Sequence, residues 1–158
     1  MTKRQKPLPP DLRDGQYESW DVAMATRFPL ALSEMRWPSV PLHMVETQPL
    51  ARWGLEINTG WRSIMERLLV RLEAMITTQP VGERDRFRIL QVKEKFGRLT
   101  VYTAESTADM DEAIQAAADE STKTCEVCGA PGELKQRDHW WSPRCGEHET
   151  WRPHQRFE

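Results

Sequence analysis

Residues 86 to 103 read Arg-Phe-Arg-Ile-Leu-Gln-Val-Lys-Glu-Lys-Phe-Gly-Arg-Leu-Thr-Val-Tyr-Thr, and this stretch decides the fold class. On both sides of Gly97, β-branched and aromatic residues alternate with polar ones, the two-residue period of half-buried strands. A two-residue turn at Gly97-Arg98 is expected, of type II′, in which glycine takes the first position. That register sets Phe96 opposite Leu99 and Glu94 opposite Val101. It gathers Leu90, Val92, Phe96, Leu99 and Val101 on one face. Phe87 and Ile89 have the opposite parity, so a bulge or phase change near Ile89 is expected.

A hairpin needs another surface to pack on, and the chain supplies one just upstream. Trp61, Ile64, Met65, Leu68, Leu69, Leu72, Met75 and Ile76 recur at three- and four-residue spacing, with Arg62, Ser63, Glu66, Arg67 and Arg71 between them. The pattern predicts an amphipathic helix over 61–76, capped at Asn58 or Thr59, with Pro80 beyond its end. Downstream, Thr107 to Ser121 predicts a second, shorter helix with Ser106 or Thr107 as cap. Asp109, Asp111 and Glu112 suit its positive N-terminal end, and Met110, Ile114 and Ala117 form its apolar stripe. The fold class is therefore α+β: a helix on a β-hairpin, then a second helix, with this core assigned to residues 49–122.

Seven of the eleven prolines precede residue 50. Proline lacks a backbone donor and biases its predecessor toward extended geometry. Residues 1–48 are accordingly expected to form an extended arm, pinned by Trp20, Trp37 and Trp53. One short helix is expected within it, from Ser19 as N-cap to Phe28.

All three cysteines lie near the other end, and an odd number cannot all pair within the chain. They read Cys125-Glu-Val-Cys128-Gly129 and, after sixteen intervening residues, Cys145-Gly-Glu-His148. Two such knuckles joined by a hairpin supply the three thiolates and one imidazole that tetrahedral zinc takes. With Cys125, Cys128, Cys145 and His148 all bound, no coordination position stays open, so the metal is expected to be structural. His139 and His154 are spare candidates for the fourth ligand. The module is assigned to residues 123–150, with its second strand carrying His139, Trp140 and Trp141 and a tail over 151–158. A redox dithiol is the competing reading of Cys125 and Cys128, but such pairs ordinarily follow a strand and open a helix. Asp138-His139 followed by Pro143 resembles the start of an HNH nuclease motif. The second knuckle begins too soon after His139 to leave room for the remainder of that motif.

Charge narrows the function classes. The 158 residues carry 22 basic and 24 acidic side chains, a net charge of −2, which excludes a histone-like polycation. Locally the balance is uneven. Residues 84–98 hold six cations against two carboxylates, a net +4, whereas residues 105–120 hold six carboxylates and no cation. A basic hairpin could grip phosphates, but the acidic helix beside it is expected to cancel much of its field. No apolar run approaches a membrane span, and the N-terminal residues lack the apolar stretch of a secretion signal. A cytoplasmic location is expected.

Four blocks of the sequence resemble one family. They are Gly54-Leu-Glu56 with Gly60-Trp61 ahead of the amphipathic helix, the hairpin Val92-Lys-Glu-Lys-Phe-Gly97-Arg-Leu-Thr-Val-Tyr102, Ser121, and the knuckles Cys125-x-x-Cys128-Gly129 and Cys145-x-x-His148. The family is one of small uncharacterised bacterial and phage or prophage proteins, and the likeness spans roughly residues 49–150. The chain departs from it in a longer N-terminal arm and in Asn58, where many members carry cysteine. The resemblance implies a phage or mobile-element origin and supplies no catalytic residues.

The function expected is that of a non-enzymatic, zinc-stabilised interaction protein that binds a host protein or complex, with modulation of a host defence system as one such role. Its candidate partner-binding residues are Lys93, Lys95, Arg98, Trp140 and Trp141, because Trp and Arg commonly anchor interfaces. The alternative is a nucleic-acid-binding regulator using the basic hairpin and the ribbon. A metal-dependent nuclease or hydrolase would need an open metal position that the spacing does not provide.

Overall fold

The computed structural model describes residues 17–151, apart from the Leu42 side chain. In chain order its elements are helices α1 (Ser19–Arg27), α2 (Ser33–Arg36) and α3 (Pro49–Trp53), strand β1 (Leu55–Glu56) and helix α4 (Arg62–Thr78). A hairpin of β2 (Arg88–Lys95) and β3 (Arg98–Ala104) follows, then helix α5 (Ala108–Ser121) and a second hairpin of β4 (Glu133–Arg137) and β5 (Trp140–Arg144). The class is α+β, as the alternation around Gly97 predicts.

Helix α4 grows out of a 3₁₀ turn, Thr59–Trp61, that Asn58 enters with extended backbone. Its expected stripe is its buried face: Ile64, Met65, Leu68, Leu69, Leu72 and Ile76 are each at most 2% exposed. Trp61, fully buried, begins that face. At the other end Arg84 folds back and donates to the carbonyls of Gln79 (3.1 Å) and Thr77 (2.7 Å). A cation thereby takes up carbonyls that the helix terminus leaves unpaired.

The first hairpin differs from expectation by one turn position. Its two-residue loop is Phe96-Gly97, with φ of 53° and 77°, so the turn has the type I′ form that requires positive φ at both residues. Lys95 then pairs with Arg98, Glu94 with Leu99 and Val92 with Val101. Phe96, expected on the apolar face, stands at the tip and is 71% exposed. The expected irregularity is present: the register slips between Ile89 and Gln91, bulging Leu90. The extra residue resets the pleat, so Ile89 and Val92 reach the same buried face despite their opposite parity. A third strand, β1, pairs in parallel with β2 and sets Leu55 beside Val92.

The helix expected from Ser19 to Phe28 is present as α1, but residues 33–47 correct the expectation that the remainder of the arm is extended: α2 and a 3₁₀ turn, Leu42–Thr47, lie there and lead into α3. Proline does not prevent this, because Pro49 opens α3 at the first helical position, where its missing N–H would have no partner anyway. Glu18, not Ser19, is the N-cap of α1. Met24, Phe28, Leu32, Met35 and Leu50 enter the same core as α4 and β2, so one hydrophobic core runs across residue 48. The Glu73 carboxylate on α4 pins this region by accepting the amides of Leu30 (3.0 Å) and Ala31 (2.7 Å). Trp20 packs on the core, whereas Trp53 is exposed and stacks with Arg52. Residues 1–16 of the arm and 152–158 of the tail lie outside the described residues.

Helix α5 begins at Thr107, whose hydroxyl accepts the Met110 amide at 3.3 Å. Of the basic stretch 84–98, which its carboxylates are expected to offset, Arg98 is the cation it pairs among the described residues; its other partner is Arg67 of α4. Asp119 takes Arg98 at 2.7 Å, and Glu120 takes both terminal nitrogens of Arg67 at 3.0 and 2.6 Å. The buried Ser121 hydroxyl accepts the Leu99 amide at 2.9 Å and so satisfies a donor on the outer edge of β3. Among the described residues no helix is long and apolar enough to cross a membrane.

Candidate metal centre and the adjoining cleft

Each knuckle is a tight turn fixed by its own backbone. In the first, the Gly129 amide donates to the Cys125 carbonyl at 2.9 Å, and Gly129 has φ 82°. A side chain there would be strained by that left-handed backbone. The second runs from Cys145 into a 3₁₀ turn, Gly146–His148, closed by the His148 amide on the Cys145 carbonyl at 3.1 Å. The β4–β5 ladder lies between them, from Glu133 opposite Arg144 to Arg137 opposite Trp140. Both knuckles therefore meet at the open end of one hairpin.

Their four donors converge, with every ligand atom of Cys125, Cys128, Cys145 and His148 within 4.8 Å of every other. Cys128 Sγ lies 3.7 Å from Cys145 Sγ. His148 Nδ1 stands 3.7 Å from Cys125 Sγ and 3.2 Å from Cys145 Sγ. A tetrahedral ion with thiolate bonds near ~2.3 Å and an imidazole bond near ~2.1 Å has edges of roughly 3.6 to 3.8 Å. Two of the three separations match those edges and the third, from Cys145 Sγ to His148 Nδ1, is shorter; the donor set suits a thiophilic metal. His139 is not part of it. Instead of leading the second strand, it shares the β4–β5 turn with Asp138, at φ of 67° and 50°. His154 lies outside the described residues.

The electrostatics favour a cation. Burial pushes the Cys125 thiol up, but the amides of Cys145, Cys128 and Val127 outweigh it and bring the thiol down to about 7. Cys128 goes the other way: the Ala130 amide favours its thiolate, yet desolvation and the sulfurs of Cys145 and Cys125 raise it on balance. Thiolates this close repel one another unless a positive ion lies between them.

Around the cluster, two charged networks hold the ribbon. Glu126, inside the first knuckle, is 1% exposed. Its carboxylate accepts Asn58 Nδ2 at 3.2 Å and Ser142 Oγ at 2.5 Å, while Arg144 Nε donates to Ser142 Oγ at 3.0 Å. Glu149, just past the second knuckle, is gripped by Arg137 at 2.7 and 2.9 Å and approached by Lys135 at 3.3 Å. The Arg137 hydrogen bonds, helped by Lys135, bring the Glu149 carboxyl down to about 2.

The ribbon docks on the core at Gly60-Trp61. The Gly60 amide donates to the Glu126 carbonyl at 3.0 Å, and Trp61 Nε1 donates to the Thr124 carbonyl at 3.0 Å. A Cβ on Gly60 would stand 2.2 Å from the Cys125 carbonyl oxygen, so only glycine lets the two backbones approach this closely. The tip of the first hairpin makes a second contact. A Cβ on Gly97 would stand 2.4 Å from Leu134 Cδ1 and 3.1 Å from the Ser142 amide.

Beside that contact a cleft of about 370 Å³ opens between the hairpin tip and the ribbon. Phe96, Trp140 and Trp141 line it with Glu94, Lys95, Gln136 and His139. Of the expected partner-binding residues, the fold brings Lys95, Trp140 and Trp141 together here. Lys93 follows on the same face of β2, and Arg98 is held in its ion pair with Asp119. Phe96 escaped the sequence reading because the turn was placed one residue too late. Glu126 escaped it because an acidic residue between two cysteines reads as exposed until its buried partners are known.

No protein-family model matches the chain, and comparison with curated proteins and with solved structures finds no match.

Proposed function

We propose that the chain is a zinc-stabilised interaction protein and not an enzyme, acting in the host cytoplasm by binding a host protein or complex. The carrying observation is the cluster of Cys125, Cys128, Cys145 and His148. Four protein donors at tetrahedral spacing fill the shell of zinc and leave no vertex for substrate or water, the arrangement of structural sites. When bound, zinc supplies cross-linking: it ties the two knuckles together and stabilises a hairpin with little core of its own. The product of that stabilisation is the cleft, whose walls come from the ribbon and the first hairpin. The resemblance of these same two blocks to phage and prophage proteins supports a phage-type origin, and modulation or inhibition of a host defence system is the role proposed.

Two measurements test this. Metal analysis should return one zinc per chain, and the cobalt-substituted protein should give a tetrahedral spectrum indifferent to added small anions. Anion-dependent shifts would reveal an open position and overturn the structural role. Metal-loaded protein used as bait in a bacterial lysate should retain a stoichiometric protein that the Trp141→Ala chain does not. Recovery of no such partner counts against the interaction reading.

A further inference from the structure

Resting on that reading, we propose that the cleft receives an aromatic or long aliphatic side chain from an acidic stretch of the partner protein. The lining argues for the anchor. Phe96 is 71% and Trp141 41% exposed, and they face a space of about 370 Å³, enough for one large side chain but not for a helix. The Gln136 amide and the His139 ring add polar groups at its border. Aromatic pockets of this kind are where interfaces concentrate their binding energy.

Charge at the rim argues for the acidic flank. Lys93 and Lys95 lie two residues apart on one face of β2, hence about 6.7 Å apart. Among the described residues, neither lies within ion-pair distance of a carboxylate. The other cations of the two hairpins are engaged: Arg98 with Asp119, Arg88 with Glu34, Lys135 and Arg137 with Glu149, and Arg144 with Ser142 Oγ and the Glu149 carbonyl. Glu56, the register neighbour of Lys93, accepts the Gln91 amide at 3.3 Å, and Glu94 accepts the Gly97 amide at 2.6 Å. Among the described residues Lys95 meets Tyr102, its hydroxyl at 3.2 Å and its ring at 5.9 Å. Lys95 thus lines the aromatic cleft and Lys93 follows it along β2, both open to carboxylates from outside the chain, while the one carboxylate in the lining, Glu94, is turned to the Gly97 amide.

Magnitude decides between a peptide and a nucleic acid strand. Two phosphate contacts would give a salt slope of only about −1.4 for a single strand, too shallow to carry binding that depends on the backbone. The next cation along, Arg98, is already neutralised by the acidic helix. One anchor with one or two flanking carboxylates uses everything the cleft offers.

The test selects a phage-displayed library of random short peptides on the full-length, zinc-loaded chain. Trp141→Ala and Lys93→Glu/Lys95→Glu chains, first shown to keep their zinc and circular dichroism, serve as comparison baits. Enriched peptides should share a large apolar residue beside Asp or Glu. A synthetic consensus peptide should bind each variant at least about ten-fold more weakly. Apolar consensus peptides indifferent to lysine reversal would overturn the acidic flank while leaving the interaction reading intact. Enrichment equal on the Trp141→Ala bait, or none at all, would overturn the cleft as the docking site. Quenching of tryptophan fluorescence by single-stranded oligothymidylate, with a steep salt dependence, would overturn the protein partner altogether.

Discussion

Gly60→Ala is the perturbation that most directly tests how the ribbon is mounted on the core. Its Cβ would stand 2.2 Å from the Cys125 carbonyl oxygen, 2.5 Å from the Glu126 carbonyl carbon and 2.7 Å from the Glu126 oxygen. All three obstacles are backbone, so no rotamer change relieves them. The knuckle must retreat by about 1 Å to restore ordinary contact, an overpacking that costs roughly 1–3 kcal/mol. Retreat also lengthens two bonds of 3.0 Å, from the Gly60 amide to Glu126 and from Trp61 Nε1 to Thr124. Each contributes about 1 kcal/mol net, which brings the expected loss to roughly 3–5 kcal/mol. With a urea m-value of about 2 kcal/mol/M, the midpoint of the zinc-loaded protein should fall by about 2 M. All four candidate metal ligands lie within the ribbon, so on the proposed zinc site the metal content should not change while the Trp61 indole N–H resonance shifts. Gly82→Ala is the matched control, because nothing lies within 4 Å of the added Cβ. A Gly60→Ala midpoint indistinguishable from that control would refute the docking argument.

Three further outcomes follow from the same geometry. Cys125→Ser should abolish stoichiometric metal binding and strip hydrogen-exchange protection from residues 123–148. Helix α4, whose stripe is buried elsewhere, should keep most of its own protection; equal loss in both regions would contradict this. Gly97→Ala should cost about 2 kcal/mol, since φ 77° strains any side chain and the Cβ meets Leu134 Cδ1. Adding Leu134→Ala should remove the clash but not the backbone strain, which a double-mutant cycle would read as favourable coupling. Asp21 is buried, and burial raises its carboxyl to about 6 against the Leu55 amide, which lowers it. The folded state therefore binds the proton more tightly, and this group's contribution to stability falls as pH rises from about 4 to 6. Asp21→Asn should raise stability at pH 7.5 by roughly 1–2 kcal/mol, discounted for partial screening. The gain should vanish near pH 4 in thermal melts, and a gain independent of pH would point to another cause.

Local pattern made the main elements and the candidate metal cluster legible in the sequence. The three- and four-residue recurrence from Trp61 to Ile76 marks the buried face of α4, and the alternation around Gly97 marks the hairpin, because each element's geometry repeats at its own period. Even an irregularity near Ile89 could be read, from its parity conflict with Val92, although the bulged residue is Leu90, expected on the regular apolar face. Cys125, Cys128, Cys145 and His148 could be read because knuckle spacing is a short-range property of a turn. The register around Phe96 could not, since both Phe96-Gly97 and Gly97-Arg98 are acceptable loops. The choice places Gly97 against Leu134 and Ser142, a contact with a separate part of the chain. The helical turns of residues 33–53 are hidden because short helices with little periodicity draw their stability from the core they meet. Strand β1 has two residues and no pattern, and exists only because β2 offers it an edge. Sequence periodicity records that a residue is buried but not what covers it. The mounting of the ribbon on Gly60 and Trp61, the burial of Glu126 and the cleft at Phe96 are all contacts between distant segments, Trp61 and Thr124 being 63 residues apart, and only tertiary packing brings them together.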